Sequence, residues 1–173
     1  MGRIAAGTVH VGAEVSVLPS ARRTRVTGIG VLNSAFNSAT AGDSVALHLE
    51  DELDVSRGDM LVDLARPPRA AKAFEASLCW LAREPLAPRG RYLLKHTTRT
   101  VKARFDSIIH RVDVHTLGTE PFSGSVGMND IVHAALVVQQ PVFADSYRAD
   151  RATGAFILID EATNQTVAAG MIE

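Results

Sequence analysis

The chain has 173 residues, 46% hydrophobic and 5% aromatic, enough to bury a largely aliphatic core in one large domain or two small ones. Its 18 Lys plus Arg against 19 Asp plus Glu give a formal charge of −1, which excludes nucleic-acid binding by bulk positive charge. One cysteine excludes an internal disulfide, no apolar run reaches the ~20 residues that span a bilayer, and the first residues lack the apolar core of a signal peptide; a cytoplasmic protein without membrane attachment is expected.

From the N-terminus, Val9, Val11, Val15 and Val17 alternate with Thr8, His10, Glu14 and Ser16, a strand period of two broken at Gly12-Ala13. Pro19-Ser20 turns the chain into Arg22, Arg23 and Arg25, the one basic cluster, on an expected hairpin. No aromatic stacking platform adjoins it, so a solvated hairpin or a charged protein contact fits it better than nucleic acid. Gly28-Ile29-Gly30 reads as a bulge or tight turn rather than a phosphate loop. Val45, Leu47 and Leu49 alternate with Ser44, Ala46 and His48, after a turn at Ala41-Gly42-Asp43. The acidic run Glu50-Asp51-Glu52 with Asp54 reads as a solvated loop; its carboxylates suit a hard cation, but no phosphate-binding element accompanies them. In Arg57-Gly58-Asp59 the glycine supplies a positive φ between strands. The proline-bearing stretch Ala65-Arg66-Pro67-Pro68-Arg69-Ala70-Ala71 cannot donate fully to a ladder and marks a boundary, predicting domains 1–65 and 72–173 with a linker at 66–71.

Beyond the boundary, 74–81 reads as a strand in which Cys79 packs, since no general base stands near enough in sequence to activate it. A turn follows at Pro88-Arg89-Gly90. Val101, Ala103 and Phe105 alternate with Lys102, Arg104 and Asp106, a strand buried on one face. In His110-Arg111-Val112-Asp113-Val114-His115, alternation puts His110 on one face and Asp113 with His115 on the other, which argues against three ligands meeting at one metal. A half-exposed polar strand is expected, on one face of which Asp113 and His115 could pair as a structural contact. The run 131–138 is apolar on both faces except at His133, as in a strand covered on both sides. Segment 146–153 offers at most one helical turn, and 156–159 and 166–172, separated by a turn at Asn164, complete the strands. Apolar residues never recur at helical spacing over three turns, and many short strands with frequent turns favour an all-β chain of closed barrels. There is no Gly-x-x-x-x-Gly-Lys-Ser/Thr loop and no placeable nucleophile–base pair, so no catalytic, cofactor-binding or metal residue is assigned.

The stretch Asn129-Asp130-Ile131, Pro141, Asp145-Ser146-Tyr147, Arg151-Ala152-Thr153-Gly154-Ala155-Phe156, Asp160, Thr163-Asn164 and Ala169-Gly170-Met171-Ile172 resembles the end of the large, GTPase subunit of bacterial sulfate adenylyltransferase. Leu49-Glu50-Asp51-Glu52-Leu53-Asp54 through Arg57-Gly58-Asp59-Met60-Leu61, Trp80-Leu81-Ala82-Arg83-Glu84-Pro85-Leu86, and Thr98-Arg99-Thr100-Val101 with Ile109-His110-Arg111-Val112-Asp113-Val114 are similar to that family in the same order. Asp150 departs from it, standing where the family has Asn. The resemblance implies two consecutive antiparallel β-barrels of the translational-GTPase-like superfamily, a domain II-like barrel truncated at its N-terminal side and then a domain III-like barrel. The GTP-binding domain has no counterpart here, and Gly2-Arg3-Ile4-Ala5-Ala6-Gly7 aligns partway along a strand, so an open sheet edge is expected in the first barrel.

The same resemblance implies a non-catalytic scaffold or regulatory portion of the complex that makes adenosine phosphosulfate, with GTP, ATP and Mg handled outside this chain and the chain alone inactive. The implied partners are the adenylyltransferase small subunit and a GTP-binding domain. Arg151, Thr153 and Gly154 would shape a loop packed against one of them, with Arg57 and Asp59 as further interface candidates; the residues themselves equally fit an ordinary hairpin-side loop. The alternative reading is a stand-alone protein- or tRNA-binding β-barrel module, which the near-zero charge disfavours.

Overall fold

The computed structural model describes residues 1–31, 34–87, 89–116 and 118–173, in two compact units, Met1–Pro68 and Arg69–Glu173. Pro88 of the expected turn at 88–90 lies outside the described residues. The described residues form strands, turns and bends with no helix, so no helix is long and apolar enough to cross a membrane. The chain is all-β.

The first unit holds β1 (Gly2–Arg3), β2 (Thr8–His10), β3 (Glu14–Leu18), β4 (Arg22–Val31), β5 (Ser34–Phe36), β6 (Ser38–Thr40), β7 (Ser44–Leu49) and β8 (Met60–Asp63). The order β1-β7-β4-β3-β8, with β5 on β4, makes an open half-barrel, and β2 with β6 forms a separate ribbon. β3 and β4 are the expected hairpin: Glu14 pairs with Arg25 in register, and their side chains meet at 3.2 Å. The bulge expected near Gly28 falls between Val26 and Gly28, where the ladder to β7 shifts register. Val15, Val26, Ile29, Ala39 and Val45 form the small core, with Leu47, Leu49 and Leu61 packed against it.

The second unit holds β9 (Arg69–Trp80), β10 (Tyr92–His96), β11 (Arg99–Val112), β12 (Thr119–Pro121), β13 (Ile131–Ala144), β14 (Ala155–Asp160) and β15 (Thr166–Ile172). The ring β10-β14-β15-β9-β13-β11 closes because β11 also pairs with β10, leaving β12 outside on β11. Closure pairs both edges of every ring strand. The expected linker is shorter than 66–71, since Arg69, Ala70 and Ala71 already pair with Ala144, Phe143 and Val142. Prolines 67 and 68 supply no N–H, and pairing starts directly after them.

The ring encloses Leu78, Leu94, Leu136 and Leu158, with Trp80, Tyr92 and Phe105 stacked edge to face at centroid distances of 6.0 and 5.5 Å. The Trp80 indole N–H donates to the Glu84 carbonyl at 2.8 Å, so the buried ring is satisfied. Phe156 lies over Gly170, its partner on β15; a Cβ there would sit 2.3 Å from the Phe156 Cζ. The sequence predicts β13 covered on both faces; in the structure only the face carrying Val132, Ala134, Leu136 and Val138 enters the core. Ile131, Ala135 and Val137 lie on the outside of the ring, half-buried, and among the described residues no strand of this unit forms a second layer over them. An apolar run records that a strand avoids water; it does not record which neighbour excludes it.

Because Leu158 is wholly buried inside the ring, Leu158→Ala is expected to cost about 3 kcal/mol through lost burial and a residual cavity. Met171→Ala, on the outward face of the adjacent strand, should change stability by less than about 0.5 kcal/mol. Urea unfolding of the two variants measures the contrast.

Candidate functional site

The loop joining β13 to β14, residues 145–154, contains three of the expected interface residues. It is built of two successive turns rather than a helix. The Ser146 carbonyl accepts the N–H groups of Ala149 and Asp150 at 2.9 and 3.0 Å, and the Asp150 carbonyl accepts that of Gly154 at 2.8 Å. The Asp150 carboxylate accepts the N–H groups of Ala152 and Thr153 at 2.7 and 3.1 Å. Asparagine carries the same acceptor oxygen, so the Asn that the resemblance leads one to expect here would make the same two bonds. Two further bonds stitch the loop to β15, Tyr147 N–H to the Ile172 carbonyl and Ile172 N–H to the Gly154 carbonyl, each 2.8 Å.

Gly154 is fixed by close backbone approach. A Cβ at this position would lie 2.3 Å from the Tyr147 Cα and 2.7 Å from the Asp150 carbonyl oxygen, atoms that cannot swing aside. Thr153 is buried, and its hydroxyl donates to the Asp145 carboxylate at 2.8 Å. Its carbonyl accepts the Nε2–H of His96 at 2.6 Å. Arg151 is exposed, with its guanidinium 5.9 Å from the centroid of the Tyr147 ring. Of the three expected residues in this loop, Thr153 and Gly154 therefore hold it together from inside, while Arg151, with Arg148, is presented to solvent.

His96 was not singled out in the sequence, yet it anchors the loop. It follows Tyr92 and Leu94 at strand spacing on the core-facing side of β10, and it is 1% exposed. The signal was there: an ionisable residue in the inward register of a strand. Burial pushes its pKa down, against the opposing pull of the Thr153 carbonyl and the Asp145 charge.

Arg57 and Asp59 belong to the first unit, in a turn with Gly58 at φ +101°. The Asp59 carboxylate accepts the Ser56 N–H at 2.9 Å, so it closes its own turn, and Arg57 is exposed. The polar strand expected at 110–115 ends at Val112, which corrects the pairing of Asp113 with His115. Asp113 stands in the turn beyond it and accepts the backbone N–H of His115 at 2.8 Å, not the imidazole. That N–H first, with Thr116, holds the carboxyl below the ordinary range. His110 instead stacks on His133, centroids 4.9 Å apart, and the His133 Nε2–H donates to Glu75 at 3.0 Å. The sequence holds no P-loop, and among the described residues no three His, Cys, Asp or Glu side chains are grouped to hold an ion.

The model of the GTP-eEF1A C-terminal domain-like family matches residues 73–173. Over 99% of its length the chain is 40% identical to the bifunctional enzyme CysN/CysC of Mycobacterium tuberculosis, of which it spans 28%. It is 41% identical to sulfate adenylyltransferase subunit 1 of Shewanella woodyi, again over 99% of the chain and 36% of that protein. The solved structure of sup35 complexed with GDP superposes with a TM-score of 0.87 at 25% identity, covering 99% of this chain and 42% of that one. The chain thus spans about a third of the length of the curated relatives it matches.

Gly154→Ala is expected to cost about 1–3 kcal/mol by forcing the two turns apart, measured by thermal unfolding. The lowered pKa of His96 fixes a sign as well. The neutral ring is favoured in the fold, so stability is full above the unfolded value of about 6.5 and falls as pH drops below it. His96→Gln should flatten that acid slope in unfolding curves taken from pH 7 to 5.

Proposed function

The chain belongs to the GTP-eEF1A C-terminal domain-like family, and from that premise we propose that it is the non-catalytic two-barrel scaffold of a sulfate adenylyltransferase GTPase subunit. The observation that carries this reading is about 40% identity along 99% of the chain to proteins named for that activity, in a sequence with no P-loop. In this role the barrels hold a GTP-binding domain and the adenylyltransferase small subunit in a working arrangement. GTP, ATP and Mg are bound elsewhere in the assembly, which makes adenosine phosphosulfate in the cytoplasm.

The construction of the second unit supports the reading. A closed ring transmits force between bound partners without yielding, because its interior is packed and every ring strand is paired on both sides. The loop 145–154 is tied to that ring through His96, Gly154 and Ile172, so Arg148 and Arg151 are offered to a partner from a rigid base. The loop would act by shape and charge, with no proton or group transferred at it.

The purified chain should co-elute with a separately produced small subunit or GTP-binding domain in size-exclusion chromatography. It should show no GTP hydrolysis alone. Hydrolysis by the isolated chain, or elution apart from both partners, would refute the scaffold reading.

A further inference from the structure

Residues paired across the outside of the second barrel form an apolar row. Ile157 faces Ala169, Ala169 faces Cys79, Cys79 faces Ile131 and Ile131 faces Val112. Their strand neighbours Leu158, Ala168, Leu78 and Val132 are buried in the core, so alternation turns these five outward. The row crosses β14, β15, β9, β13 and β11, about 19 Å at the usual strand spacing, without a charged side chain. Met171, 42% exposed, and Leu81, 45% exposed, extend it on the same wall. Soluble surfaces seldom keep an apolar strip of this breadth unless something covers it.

At its β10 end the row meets the exposed Lys95, which pairs with Ile157, while acidic side chains stand along one side and at the β11 end. Along one side Glu75 and Glu173 flank His133, their side chains 61% and 56% exposed. At the β11 end the strip runs into a depression of about 240 Å³, where Val112, Val114 and Ile131 meet Asp113 and Glu120. Arg111 also lines this depression, but its guanidinium is held by Asp130 at 3.2 Å and by the Ser125 carbonyl. The Asp113 carboxylate accepts the N–H of its own turn, so the depression offers negative charge beside apolar side chains.

We propose that this strip is a docking surface for a protein segment that lays apolar side chains along Ile157, Ala169, Cys79, Ile131 and Val112 and sets a lysine or arginine against Asp113 and Glu120. The inference rests on the scaffold reading and names the face by which the chain would hold its partner. An apolar centre with a charged rim is the construction of protein interfaces, and the acidic side chains at the β11 end select a basic group on the partner there.

Isothermal titration of a purified adenylyltransferase small subunit into the chain tests it, with Ala169→Glu in the centre and Glu120→Lys at the rim. Both positions are exposed, so both variants should unfold at the temperature of the parent chain. Ala169→Glu is expected to weaken binding about tenfold or more, and Glu120→Lys to weaken it several-fold with loss of its salt dependence. Binding by both variants at parental strength overturns the docking strip and leaves the scaffold reading standing. Failure of the parent chain to bind overturns both. A chain that self-associates, and that Ala169→Glu returns to a monomer, would put a second copy on the strip and also overturn the proposal.

Discussion

The pairing of β10 with β11 closes the second barrel, and most of its other properties follow from that ring. Once six strands form a circle, each has one face inside and one outside, and the alternation of its sequence is fixed relative to the core. Leu78, Leu94, Leu136 and Leu158 meet there from four different strands. The same closure forces Cys79, Ile131 and Ile157 outward, because they occupy the other register of those strands. The outer strip is therefore not a packing fault to be relieved by a small shift. A one-residue slip would bury it only by exposing the leucines.

Closure also explains the loop at 145–154. Its ends are set by β13 and β14, which are paired to different neighbours in the ring, so the connection must fill a gap of given size. Gly154 lets the backbone pass against Tyr147, and Thr153 points into the space below. That buries the Thr153 carbonyl, which must find a donor, and His96 supplies one from the adjoining strand β10. A buried histidine is the consequence of a buried carbonyl, and its depressed pKa is the consequence of its burial. The first unit has no comparable constraint, since its main sheet is open and its core smaller.

Much of the strand pattern was legible because a period of two survives wherever one face is wet. Val101, Ala103 and Phe105 were assigned inward from their charged alternates, and all three are buried. Turns were legible for a steric reason: Gly12, Gly42 and Gly58 all adopt positive φ. The covering of β13 was not legible, because Ile131, Ala135 and Val137 carry the same apolar signal whether their own chain or something else excludes water. The extent of the boundary was missed because Arg69, Ala70 and Ala71 have no pattern of their own and are drawn into the sheet by Val142, Phe143 and Ala144. Asp113 and His115 were misplaced because alternation cannot say where a strand stops. The role of His96 required knowing that a carbonyl 57 residues away would lie over it.

The distribution of charge bears on what kind of partner suits such a molecule. The basic cluster at 22–25 is partly neutralised by the ion pair of Arg25 with Glu14, and Arg111 is engaged by Asp130. Near the outer strip the Asp113 carboxylate accepts hydrogen bonds within its own turn, and Glu75 and Glu173 engage His133 and Ser77 while their side chains stay more than half exposed. A polyanion such as RNA would need the opposite arrangement, with cations free and aromatic faces beside them. A protein surface with an apolar centre and a few basic side chains meets both features at once.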